Sequence, residues 1–251
     1  MSLEAFQLNG KNALVTGSHR GLGAAIAVAL AKAGANVGCH GRDAKPGAAC
    51  EEIRVTGRKT FYFSADLGDP KSYAGLIEKT IGEFGSIDIL VNNAGIYEVG
   101  PLEQITPEHY RKIFDVNVLG LLLTTKEAVA HFNPNGGSIV NISSVVVDGV
   151  PGLTVYSATK GAVDTITSSL AKELGPKKIR VNSLNPGMIE TEGAHAAGFI
   201  GSDFQKAAEA RTPLGRIGQP QDVATAAAFL ASDDSGWING QAIYASGGFT
   251  L

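Results

Sequence analysis

Sulfur is scarce in this chain: two cysteines and two methionines among 251 residues. Cys39 lies in an apolar run and Cys50 in a predicted helix, without metal-ligand spacing. A chain of this length buries enough surface to need no disulfide or metal staple. Two unpaired thiols therefore read as a protein of a reducing compartment. The five histidines, His19, His40, His109, His131 and His195, are scattered, which argues against a zinc site. No apolar run reaches about 18 residues, and the first residues lack the long apolar stretch of a secretory signal. A cytoplasmic protein without a membrane partner is expected. Blocks of Lys or Arg are absent and the net charge is −3, which argues against nucleic acid. Lys177, Lys178 and Arg180 follow a predicted helix and read as its solvated end. Charge is thin at 18% against 44% hydrophobic residues, the balance of a packed domain rather than a disordered one.

Glycine is what the chain has in plenty, 32 of them, clustered at the ends of apolar runs. Short apolar runs predict strands at 12–17, 36–40, 59–65, 87–95, 137–144, 179–187 and 241–248. Amphipathic stretches predict helices at 21–34, 44–57, 69–85, 106–132, 155–174 and 219–232. Asp69 with Pro70, and Thr106-Pro107-Glu108, read as helix starts. The alternation implies a parallel sheet covered on both faces, and the strands are apolar throughout, as such a sheet requires. We expect one doubly wound, three-layer α/β/α domain over residues 1–251, with about seven mostly parallel strands. The stretch 188–215 breaks the rhythm and reads as a lid or a small helical insert.

"TGSHRGLG" (16–23) follows the first strand and opens the first helix. Gly17, Gly21 and Gly23 allow a tight bend and a close approach to a diphosphate, which the helix N-terminus then binds. Ser18 and Leu22 belong to the same turn. An acid after the second strand holds a ribose hydroxyl in proteins that use NAD. Here Gly41 and Arg42 stand there, with Arg20 inside the turn, so a 2′-phosphate and hence NADP(H) is favoured. Asp43 stays open as a ribose acid, and NAD(H) with it.

Tyr156 and Lys160 stand four apart, on one helix face. A neighbouring ammonium favours the phenolate and lowers a tyrosine's pKa, which suits proton transfer to a carbonyl oxygen. The plain alternative is a half-buried tyrosine with a snorkelling lysine. Four more elements accompany the pair: "NNAG" (92–95), "NVLG" (117–120), "NISS" (141–144) and "NPGMIET" (185–191). Together with the glycine turn they resemble the short-chain dehydrogenase/reductase family, a Rossmann-like fold, over essentially the whole chain. The resemblance implies Tyr156 as acid/base, with Lys160 lowering its pKa and binding the nicotinamide ribose. It implies Asn117 as the holder of a relay water and Asp66, with Leu67, beside the adenine. Asn93, Ala94 and Gly95 would line the cofactor. Pro186, Gly187, Ile189 and Thr191 would meet the nicotinamide end.

Two criteria for the catalytic serine disagree. Ser143 lies thirteen residues before Tyr156, whereas Ser144 is the second of the pair. The strand before them is pinned by sheet pairing, and the loop up to Pro151 absorbs a deletion at little cost. Ser144 is therefore preferred. Val145, Val146, Val147 and Leu153 suggest an apolar substrate wall, with Glu190, Glu192 and His195 read as solvated lid residues. The resemblance points to 3-oxoacyl-carrier-protein reductases first, with Arg211 and Arg216 as a docking patch. Sugar dehydrogenases are the alternative, and a nucleotide-binding regulator without chemistry the distant one. The family pairs helices 106–132 and 155–174 across subunits, which implies a homotetramer.

Overall fold

The computed structural model describes residues 6–249 except Pro70. Seven strands form one sheet: β1 (Asn12–Val15), β2 (Asn36–Gly41), β3 (Thr60–Ser64), β4 (Ile89–Asn92), β5 (Gly137–Ile142), β6 (Ile179–Pro186) and β7 (Ala242–Ala245). Their order is β3-β2-β1-β4-β5-β6-β7, and every pairing is parallel. The chain runs outward from β1 to β3, then returns to pair β4 with the other side of β1. That reversal leaves a crevice beyond the carboxyl ends of β1 and β4, where such sheets bind ligands.

The helices are α1 (Gly21–Lys32), α2 (Ala49–Val55), α3 (Ser72–Phe84), α4 (Pro107–Phe114), α5 (Gly120–Val129), α6 (Thr154–Leu174), α7 (Glu192–Ala196), α8 (Asp203–Arg211) and α9 (Pro220–Ala231). Successive strand residues face opposite sides. Ala13 and Val15 accordingly join the core under α1, α2 and α9, while Leu14 joins the one under α3, α5 and α6. Ile26, Leu30 and Leu230 fill the first layer and Leu76, Ile77 and Leu174 the second. Each fully buried side chain of this size contributes roughly 1.5–3 kcal/mol.

Several predicted boundaries shift. The 106–132 stretch is not one helix: Asp115–Leu119 widens into a π turn between α4 and α5. α3 starts at Ser72 rather than after Asp69, whose carboxylate instead accepts the Lys71 N–H at 3.0 Å in a turn. The expected Pro at the first helical position, Pro70, lies outside the described residues. α2 is shorter than 44–57, because residues 42–47 fold back over the glycine turn. Thr106 does cap α4 through the His109 N–H, and Gln219 with Asp222 forms a capping box on α9. The 188–215 segment contains two short helices, α7 and α8, with Thr191 and Ser202 as their N-caps.

Candidate active site

The crevice opens into a cavity of about 700 Å³. Of the expected cofactor residues, Gly17, Arg20, Gly21, Leu22, Gly23, Arg42, Asn93, Ala94, Gly95, Pro186, Gly187, Ile189 and Thr191 line it. So do Ser144, Tyr156 and Lys160.

Ser18, Asp66 and Leu67 do not line the cavity. The Ser18 hydroxyl is buried, donating to the Val15 carbonyl at 2.8 Å and accepting from the His40 N–H. Asp66 accepts the Gly68 N–H at 2.8 Å. Leu67 is buried in the core under α3, its carbonyl accepting the Tyr73 hydroxyl. All three brace the turns around the site.

α1 begins in the cavity wall with neither a side-chain cap nor an acid in its first turn. Its first N–H groups are thus open to an anion. Arg20, Arg42, Lys160 and Arg211 stand in the lining, and no carboxylate does among the described residues. That charge balance fits the phosphates of a dinucleotide. The glycine turn is held by the Thr16 hydroxyl, which sequence reasoning passed over, and by Asn93, expected there only as a cofactor residue. The Thr16 hydroxyl accepts both the Asn93 and Ala94 N–H groups at 3.0 Å. The Asn93 amide returns two bonds, to the Thr16 and Gly17 carbonyls.

His40 is a second brace. Its Nδ1 accepts the Gly17 N–H at 3.1 Å, so its Nε2 carries the proton and donates to the Ala65 carbonyl. Burial pushes this histidine down to about 4, so the ring is neutral. A folded pKa below the unfolded 6.5 means that the unfolded chain takes up the proton first as pH falls. The resulting stability is present above pH 6.5 and lost progressively toward pH 4. We expect roughly 3 kcal/mol from this one group. Urea midpoints measured against pH should show that loss in the wild type and less of it in His40→Asn.

At the reacting end, α6 places Tyr156 and Lys160 one turn apart. The two serines part company. The Ser144 hydroxyl accepts the Val146 N–H at 3.3 Å and stands on the Tyr156 side, where it pulls the phenol's pKa down. The Ser143 hydroxyl turns away, donating to the Lys160 carbonyl at 3.2 Å. Asn185 donates to the Ser144 carbonyl at 3.3 Å and to Asp164 at 2.9 Å, tying Ser144 to α6.

The expected lowering of the tyrosine by the lysine is not what this geometry produces. Burial pushes Tyr156 up to about 12, partly offset by the Ser144 hydroxyl, with Tyr97 adding to the rise. Burial likewise pushes Lys160 down to about 8, against the pull of Asp164. The ammonium donates to the Ile142 carbonyl at 2.8 Å and lies 5.5 Å from the tyrosine ring centre. Desolvation outweighs the lysine's field at that separation.

Asn117 sits on the π turn, a feature that recurs at functional sites. Its Oδ1 accepts the Ile96 N–H at 2.8 Å, and its Nδ2 donates to the Ile96 carbonyl and the Thr159 hydroxyl. A Cβ on Gly95 would stand 3.3 Å from Asn117 Oδ1 and 3.7 Å from Lys160 Nζ. Glycine there keeps the space between those two groups open.

The substrate side is more aromatic than expected. Val145, Val146, Val150 and Leu153 line the cavity but Val147 does not. Tyr97, Phe199, Phe204 and Phe249 also line it, and none of them was expected as a wall residue; Phe199 and Phe204 lie in the 188–215 stretch. Ring centres run 5.8 Å from Tyr156 to Tyr97, 6.1 Å from Tyr97 to Phe199 and 5.1 Å from Phe199 to Phe204. Glu190 pairs with His195 and Gln219 outside the cavity, as solvated residues do. Arg216 is not a free docking cation: its guanidinium grips both oxygens of Asp222 at 2.6 and 3.0 Å.

A family profile described as Enoyl-(Acyl carrier protein) reductase matches residues 17–250. An uncharacterised oxidoreductase of Methylorubrum extorquens is 51% identical over 245 residues, covering 96% of this chain and 98% of that protein. A protein of Zymoseptoria tritici named as a tetrahydroxynaphthalene reductase is 36% identical over 254 residues, covering 96% and 95%. The solved structure of a blue fluorescent protein from a metagenomic library, in complex with NADPH, superposes with a TM-score of 0.90. It is 35% identical, covering 98% of this chain and all of that one, 100%. With the sheet order, the uncapped α1 and the Ser-Tyr-Lys cluster in one cavity, the chain belongs to the short-chain dehydrogenase/reductase family, oxidoreductases of alcohols and ketones.

Proposed function

We propose that the protein is an NADPH-dependent reductase of aromatic or polycyclic ketones. The observation that carries this is the run of rings from Tyr156 through Tyr97 to Phe199 and Phe204 along one cavity wall. A flat ring gains from such a wall by burial and offset stacking. The relative named for a hydroxylated naphthalene supports the same class. A sugar needs convergent polar groups that this wall lacks, and an acyl-carrier protein needs a basic rim from which Arg216 is withdrawn.

Bound in the cavity, the nicotinamide cofactor supplies the hydride. Arg20 and Arg42 select its 2′-phosphate. Ser144 and Tyr156 hold the substrate oxygen, and the neutral phenol gives it a proton. Lys160, charged at neutral pH, binds the ribose. Asn117 Oδ1 keeps a lone pair for a water facing Lys160. Thr191 donates its hydroxyl to the carboxamide while its oxygen caps α7. The partly exposed apolar face of α6, Ala162, Ile166 and Leu170, supports assembly as a homotetramer. The test is NADPH oxidation against hydroxylated aromatic ketones, a 3-oxoacyl thioester and a sugar lactone or ketose. The aromatic ketones should give a kcat/KM at least about tenfold higher. A sugar or thioester that wins overturns the substrate class.

A further inference from the structure

We infer that His19 is a positioning residue for cofactor choice: it draws the Asp43 carboxylate away from the ribose side of the cavity and leaves Arg42 and Arg20 there without it. This rests on the NADP reading above. Asp43 stands two residues past β2, where a carboxylate would reach a ribose hydroxyl and repel a 2′-phosphate. Yet Arg42 lines the cavity and Asp43 does not. The Asp43 carboxylate instead meets His19 Nε2 at 2.9 Å.

His19 is well placed to hold it. It belongs to the glycine turn, next to the doubly bonded Ser18. A Cβ on Gly47 would stand 1.8 Å from the His19 carbonyl oxygen, and one on Gly41 2.7 Å from its Cβ. The loop after β2 thus returns directly onto this residue, and only glycine permits both approaches. The ring also leans on Tyr62, centres 6.0 Å apart. Its Nδ1 is buried without a partner among the described residues, so Asp43 is the ring's polar anchor.

The backbone beside the pair is fixed from β3. Ser64 donates to the Arg42 carbonyl at 3.2 Å and Tyr62 to the Asp43 carbonyl at 2.8 Å. Those two bonds set the peptide units and leave the two side chains to be sorted. The His19 contact sorts them, Asp43 toward the turn and Arg42 toward the cavity. Losing it frees a carboxylate beside the phosphate pocket, where like charges repel.

The test is direct binding, read from cofactor fluorescence without substrate. NADPH and NADH are titrated into wild type, His19→Ala, His19→Gln and His19→Ala with Asp43→Asn. Wild type should hold NADPH at least tenfold more tightly. His19→Ala should cut that ratio about tenfold through the released carboxylate. Adding Asp43→Asn should restore it, because the repelling charge is gone. His19→Gln, which still donates to Asp43, should keep it. Thermal melts identify any variant that is simply unfolded, and His19→Gln then carries the comparison with wild type. A wild-type ratio in His19→Ala overturns the inference. So does a double variant as poor as the single one, which would show that His19 acts by packing alone. A wild type that prefers NADH defeats the NADP reading itself, and that is seen before any variant is measured.

Discussion

Replacing Tyr156 by Phe lowers kcat about a thousandfold and leaves NADPH binding within about twofold of wild type. The ring stays in place because its neighbours touch it as a ring: Tyr97 at 5.8 Å and the Lys160 ammonium at 5.5 Å. Only the phenolic oxygen is lost, the group whose pKa Ser144 pulls down. In the proposed reaction that oxygen gives the proton, and burial keeps it protonated at neutral pH by pushing it up to about 12. As pH rises, Lys160, held near 8, loses its charge well before the phenol does. The alkaline fall in kcat/KM of the free enzyme should therefore set in near pH 8. Ser144→Ala should lower kcat about a hundredfold. Ser143→Ala should spare kcat and reduce stability by about 1 kcal/mol, the bond to the Lys160 carbonyl. Steady-state kinetics with fluorescence titration separates these effects. A fully active Tyr156→Phe enzyme would falsify the acid role.

Gly23→Ala destabilises the protein by about 3 kcal/mol and weakens NADPH binding more than tenfold. A Cβ there would stand 2.3 Å from both Asn93 Nδ2 and the Gly17 carbonyl oxygen. These atoms are themselves bonded to each other, at 3.0 Å, in the brace between the glycine turn and β4. The methyl group has no side to move to: relieving one overlap displaces the backbone of Gly17 or breaks the Asn93 bonds. Gly21→Ala is the control. Its φ of +59° is unfavourable for alanine, but its Cβ would meet nothing closer than the Glu192 carboxylate at 3.4 Å. The strain there is on the order of 1–2 kcal/mol. Urea denaturation of the two variants gives the comparison. Equal stability of Gly23→Ala and wild type would remove the turn-brace argument.

Most residues of the candidate site were legible before folding, because they lie in short local patterns that the fold brings to one cavity. "TGSHRGLG" couples a strand end to a helix start within eight residues, and Tyr156 and Lys160 need only one helical turn to meet. The strand runs, apolar on both faces, announced a covered parallel sheet, and the cavity lies at its switch point. Less legible were contacts between residues far apart in the chain. His40 bracing Gly17, and Asn185 bracing Ser144, span 23 and 41 positions, and although Asn185 opens "NPGMIET", no local pattern names either partner. Helix breaks were missed for a related reason. The π turn at Asp115–Leu119 follows from tertiary bonds of Asn117 to Ile96 and Thr159, not from any helix-breaking residue.

The sequence by itself determined the fold class, the glycine turn, the Tyr-Lys pair and the identity of the two candidate serines. Periodicity and short-range spacing specify those, because each depends on the geometry of one element or one turn. Only the tertiary structure shows that the Ser143 hydroxyl is taken up by the Lys160 carbonyl, since adjacent side chains diverge. It also decided where Asp43 goes, through a histidine 24 residues upstream. The sign of the Tyr156 shift was decided there too: spacing brings a lysine near, but only packing reveals how much water both groups have lost.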